Sequence, residues 1–117
     1  MRHRKKINRL SRPRGHRNSL MRNLAASFVL SGKLKTTKAK AKELSKFIEK
    51  LFTTSRRQSE VNKIRLLKKV FFTEECGRKF LELDKKLSGL QSGFTRIIPL
   101  KLRDGDAAEI VQIEFTK

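Results

Sequence analysis

The sequence predicts an α+β fold. A helical layer of about four helices packs on a small three-stranded sheet, behind a basic, extended N-terminal arm. Three observations carry that expectation. Residues 1–17 show no apolar period. From residue 18 to about 88, apolar residues recur at helical spacing, broken by short polar stretches. The tail "FTRIIPLKLRDGDAAEIVQIEF" alternates apolar and polar residues around a turn.

The arm comes first. "MRHRKKINRLSRPRGHR" holds no acid, and Arg12-Pro13-Arg14-Gly15 breaks any helix. Such a segment buries too little apolar surface to offset its ordering entropy, so it is expected to be extended. The domain division is therefore 1–17 as a basic extension and 18–117 as a single α+β globule. A chain of 117 residues suffices for one core without covalent staples.

The first helix is expected from Ser19 to Leu30, capped by Asn18 or Ser19 and stopped at Gly32. Leu20, Met21, Leu24, Ala25, Phe28 and Val29 form its stripe. "KLKTT" reads as a short strand, with Thr37 capping the second helix. That helix carries Leu44, Phe47, Ile48, Leu51 and Phe52 inward, and "TTSRRQS" is the turn that ends it. A third helix follows Ser59, with Val61, Ile64, Leu67 and Phe71 inward. The fourth follows Thr73, with Glu74 and Glu75 in its first turn, where the helix dipole favours acids. Cys76, Phe80, Leu83 and Leu87 make its stripe. In the hairpin, Ile98, Leu100 and Leu102 are expected to alternate on one side, and Val111, Ile113 and Phe115 to alternate on the last strand, with Phe115 inward. Pro99 removes a ladder donor, so its strand belongs at an edge or Pro99 at a bulge. Phe72 and Phe94 are the two phenylalanines whose burial the spacing does not settle.

Charge is the dominant functional fact. The net charge is +19, of which +14 falls on residues 1–42 and +5 on residues 43–117. Glu43 is the first acid of the chain. Uncompensated positive charge repels itself, and an anionic partner removes that cost. A membrane-binding segment needs an opposing apolar face, and the arm offers only Ile7 and Leu10, so no membrane partner is expected. No apolar run reaches transmembrane length, and the start lacks a secretory signal, so it is expected to belong to the mature chain. His3, His16 and Cys76 are too few and too scattered for a metal site. No clustered acid–base set or phosphate loop is present. The expectation is a non-enzymatic protein with no cofactor and no small-molecule substrate. Arg, Gly, Asn, Ser and His in the arm suit threading among phosphates.

Several short motifs then fall in one order. They are "MRHR" at the start, Leu10 to Arg17, Arg22-Asn23, "KTTKAKAKEL" from Lys35 to Leu44, "SGFTRI" from Ser92 to Ile97, and "GDAAE" to Glu114. In that order and spacing the chain resembles the bacterial large-subunit ribosomal protein L-seventeen family. Ser92 stands where the family usually has a glycine. The resemblance implies a cytoplasmic structural constituent of the large ribosomal subunit. It would bind large-subunit rRNA near the polypeptide exit, beside neighbouring ribosomal proteins. By position, the family's RNA-contacting arm maps onto Arg2, His3, Arg4, Lys5, Lys6, Arg9, Arg12, Arg14, His16, Arg17 and Arg22. Lys35, Thr36, Thr37, Lys38, Lys40 and Lys42 are further expected contacts. The alternative that charge alone leaves open is a DNA-binding architectural protein.

Overall fold

The structure, a computed structural model, describes His3, Arg4 and residues 8–116. α1 (Arg14–Ser31) leads through β1 (Lys33–Thr37) into α2 (Lys38–Arg56). α3 (Glu60–Val70) and α4 (Glu74–Lys86) follow, and the hairpin β2 (Thr95–Leu102) and β3 (Glu109–Phe115) ends the chain. The strands form one antiparallel sheet in the order β1-β3-β2. Four helices and three strands match the expected α+β class.

α1 begins earlier than expected. It starts at Arg14, not at Asn18 or Ser19, with Pro13 at the N-cap position. Pro13 does not break this helix; it precedes it. The first helical N–H groups have no intrahelical partner, so the missing N–H of proline costs nothing there. The Arg17 N–H already bonds the Pro13 carbonyl at 2.9 Å. His16 is thus a first-turn helical residue and not part of an extended arm. At the other end Gly32 adopts φ 77°, and its N–H donates to the Phe28 carbonyl at 2.8 Å. The left-handed conformation suits glycine and closes the helix.

α2 also runs further than expected, through Thr53, Thr54 and Ser55 to Arg56. The hydroxyls that suggested a turn bond back into the same helix. Thr53 Oγ1 donates to the Glu49 carbonyl at 2.9 Å, and Ser55 Oγ to that of Phe52 at 3.1 Å. Their competition with the helical backbone is resolved locally. Arg56 then becomes a clamp. Its Nε donates to Asp84 at 2.8 Å, and its two terminal nitrogens donate to the carbonyls of Leu87 and Leu90. Its guanidinium lies 4.7 Å from the centroid of the Phe94 ring.

The expected inner face of α3 is only half right. Leu67 and Phe71 are buried, but Val61 and Ile64 are 62% and 49% exposed. α3 has only 11 residues and packs chiefly on α4 and the end of α2, so no layer covers its first turns. In β2 the expected alternation of Ile98, Leu100 and Leu102 on one side does not run through, because the register slips between Pro99 and Lys101 and leaves Leu102 opposite Glu109. Ile97 packs on the core opposite Ile113, while Ile98, Leu100 and Leu102 are exposed. A period-two pattern cannot say which parity is inward where both carry apolar residues. Pro99 is both on an edge strand and at a bulge, where the register slips between Pro99 and Lys101. In the β2–β3 turn the left-handed residue is Ala107, at φ 56°, and not Gly105.

The core is a run of phenylalanines. Phe28 stacks on Phe115 at 4.3 Å, and Phe52 stacks on Phe80 at 4.4 Å. Phe52 also meets Phe94 at 4.9 Å and Phe115 edge-on at 6.2 Å. These contacts tie α1, α2 and α4 to β3 through one cluster. Phe94 is fully buried, and Phe72 is 73% exposed.

Candidate nucleic-acid interface

The first two helices start against their own dipoles. A helix N-terminus carries partial positive charge and favours acids. The first turns of α1 and α2 contain no acid. Arg14 and His16 stand at the start of α1, and Lys38 and Lys40 at the start of α2. Neither N-cap residue, Pro13 or Thr37, makes a side-chain capping bond. The exposed donors and cations of both starts therefore present positive potential outward, where an anion fits.

The fold brings these two starts together. Arg17 of α1 donates from Nη2 to Glu43 of α2 at 3.0 Å, and from Nε to the Asn8 carbonyl at 2.7 Å. Asn8 in turn lines a cavity of about 510 Å³ with Thr37, Lys38, Lys42, Ala108 and Glu109. The segment before α1 is thereby folded onto the domain and not extended over residues 8–13. Arg12 donates to the Leu10 carbonyl at 2.8 Å, and the Leu10 N–H donates to Asn8 Oδ1 at 3.2 Å. Leu10 and Ser11 both take positive φ, at 54° and 56°. Two such non-glycine residues cost roughly 1–2 kcal/mol each. The Asn8, Arg12 and Arg17 bonds hold the turn in place.

The expected contact residues divide by environment. Arg2, Lys5 and Lys6 lie outside the described residues. His3, Arg4, Arg9, Arg14, His16, Lys35, Lys38 and Lys42 are exposed. Arg12, Arg22, Thr36, Thr37 and Lys40 are half-buried. Among the described residues, Arg9, Arg12, Arg14, Lys35, Lys40 and Lys42 form no ion pair. Lys38 pairs with Glu109 at 3.0 Å, with both partners half exposed. Arg17 is different, because its side chain is only 20% exposed and its Glu43 partner 8%. It joins two elements of the fold, so its role is first a structural one. Arg22 lies two turns along α1, away from the helix starts, with its guanidinium 6.0 Å from the Phe72 ring.

Two acids are buried. Glu43 is 7% exposed and accepts from Arg17 and Lys46. Glu114, at 8%, accepts from Arg96 Nε at 2.6 Å and from Gln112 at 3.1 Å. The Arg96 hydrogen bond is the main cause that lowers the Glu114 carboxyl below its usual range, against a desolvation effect that raises it. On the outward sheet face, the row Lys33, Glu114 and Arg96 brackets this carboxylate between two cations. The signal for Glu43 was available, since it stands four residues before Phe47 and eight before Leu51, on the inward stripe of α2. Lys46 and Lys50 continue the cationic face of α2 beyond the residues that sequence singled out.

The fold and these surfaces define a small, strongly basic α+β protein that gathers cations at unbalanced helix starts. The chain belongs to the family described as Ribosomal protein L17, which it matches over residues 20–116. It is 39% identical over 120 residues to the large ribosomal subunit protein bL17 of Nautilia profundicola, covering 98% of both chains.

Proposed function

We propose that this ribosomal protein is a structural constituent of the large subunit of the cytoplasmic ribosome and binds large-subunit rRNA. Its binding face is built from the starts of α1 and α2, the turn before α1 and strand β1. The observation that carries the reading is the unbalanced charge of those two helix starts, on a chain of net charge +19. Membership in a ribosomal protein family supports rRNA, rather than duplex DNA, as the polyanion. By the motif resemblance, the protein sits near the polypeptide exit beside other ribosomal proteins. The exposed Arg14, Lys35 and Lys42 supply phosphate contacts, and Thr36 and Thr37 supply neutral ones. Catalysis has no part in this role.

The test is direct. Cell extract is sedimented in moderate salt, and the protein should travel with large subunits. Recovery as free protein, or with small subunits, would overturn the reading. In vitro, replacing Arg14, Lys38 and Lys42 together with Gln should weaken rRNA affinity. It should also reduce the slope of log K against log salt by about 2–3.

A further inference from the structure

Phe72 is the most exposed aromatic among the described residues, at 73%. Leaving such a ring in water forgoes roughly 1.5–3 kcal/mol of burial. It stands on the three-residue connection between α3 and α4, at the mouth of a groove of about 520 Å³. Ile64, Leu67, Phe71 and Leu81 give that groove apolar walls, and Lys68, Arg78 and Glu74 also line it, with Arg78 and Glu74 paired at 3.5 Å and Lys68 left as the excess charge. Gly77 lies inside it, in the first half of α4. A glycine inside a helix costs roughly 0.5–1 kcal/mol against alanine. Packing does not demand it here, because an added Cβ would meet only Leu67 Cβ, at an ordinary 3.9 Å. What the glycine does is leave the groove open.

We infer that this groove receives an unpaired base of large-subunit rRNA, stacked on Phe72, with Arg22, Lys68 and Arg78 around its phosphates. The inference rests on the rRNA reading above and assigns a second contact to it. Apolar walls, an outward aromatic face and a cationic rim fit a nucleotide, which is flat, apolar on its faces and anionic on its backbone. Arg22, an α1 residue, adds a further cation beside the Phe72 ring, at 6.0 Å. A neutral or basic protein segment would meet the rim cations without compensation.

The experiment uses the full chain in assembled particles. A benzophenone-bearing phenylalanine replaces Phe72 in one strain and Asn18, on the exposed face of α1, in another, and the large subunits are irradiated. Crosslinks from both positions to rRNA are expected. Crosslinks from position 72 to a protein, or none, with rRNA crosslinks from position 18, would overturn the base contact and leave the rRNA reading standing. Absence of rRNA from both positions would sink both. In binding to rRNA, Phe72→Ala and Gly77→Leu should each weaken affinity by roughly tenfold, the scale of one base stack. Neither removes a cation, so the salt slope should stay unchanged. Unaltered affinity in both variants would overturn the proposal.

Discussion

α1 and α2 begin with cations, whereas α3 and α4 begin with acids. Glu60 opens α3, and Glu74 and Glu75 open α4, while Lys68, Lys69, Lys85 and Lys86 occupy their last turns. That is the arrangement the helix dipole favours. The second region, from residue 43 on, also settles its charges internally, through Arg56 and Lys63 with Asp84, Arg96 with Glu114, and Arg103 with Asp106. Among the described residues, the cations of residues 1–42 pair only with Glu43 and Glu109, both from beyond residue 42. One region is arranged for its own stability and the other for a partner. Both share a single phenylalanine core, so the difference is one of surface.

The largest effect should come from that core. Phe80→Ala removes a fully buried ring that stacks on Phe52 and touches Phe71. A loss of about 3–5 kcal/mol is expected in urea unfolding. The salt slope of RNA binding by the remaining folded protein should not move. A change in slope would show that core and binding face are not separable. Arg56→Met should follow, at about 2 kcal/mol, because it leaves the Asp84 carboxylate with Lys63 alone and strands the carbonyls of Leu87 and Leu90. A melt unchanged in Arg56→Met would remove the claim that internal pairing stabilises the second region.

The two regions were not equally legible in the sequence. Where one stripe of large residues faces one core, as with Phe28 in α1 or Ile48 in α2, spacing alone placed the residues. The failures lie where local chemistry has two solutions. Pro13 and Gly15 fit a break or a helix start equally well, and the Pro13 carbonyl bonding Arg17 decided it. Thr53 and Ser55 fit a turn or a helix whose hydroxyls bond backward. Ile97 and Ile98 are adjacent and alike, so only pairing opposite Ile113 distinguishes them. In the candidate interface the cations were visible, but Arg17 could not be told from its neighbours without Glu43 beside it. The exposure of Phe72 depends on how far α3 and α4 diverge, which no periodicity encodes.

Acid should loosen the second region before the first. Arg103 holds Asp106 down to about 2, chiefly by a side-chain hydrogen bond. Arg96 holds Glu114 below its usual range in the same way. Both folded-state values lie below the unfolded ones. The stabilisation is therefore complete above the unfolded carboxylate range and is lost as pH falls through the folded values. Between pH ~4 and ~2, amide signals of the β2–β3 hairpin should broaden or shift ahead of those of α1. Simultaneous change in both regions would mean that the Arg–acid pairs do not hold the hairpin locally.

The smallest shift in stability discriminates best, because its sign differs between the regions. Arg14→Glu places an acid in the first turn of α1, where the dipole favours it. Arg14 is exposed and has no ion pair among the described residues, so little is lost in exchange. The isolated protein should gain about 0.3–1 kcal/mol at low salt, read from the urea midpoint. Its affinity for rRNA should fall, since a phosphate contact becomes a repulsion. Glu74→Gln in α4 should lose a similar amount of stability, because it removes an acid that the dipole favours and weakens the exposed Arg78 pair. Its affinity for rRNA should hold or rise slightly, as one negative charge leaves the molecule. If Arg14→Glu destabilises the free protein, the start of α1 is already satisfied without a partner. The contrast between the two regions would then have to rest on something other than their helix dipoles.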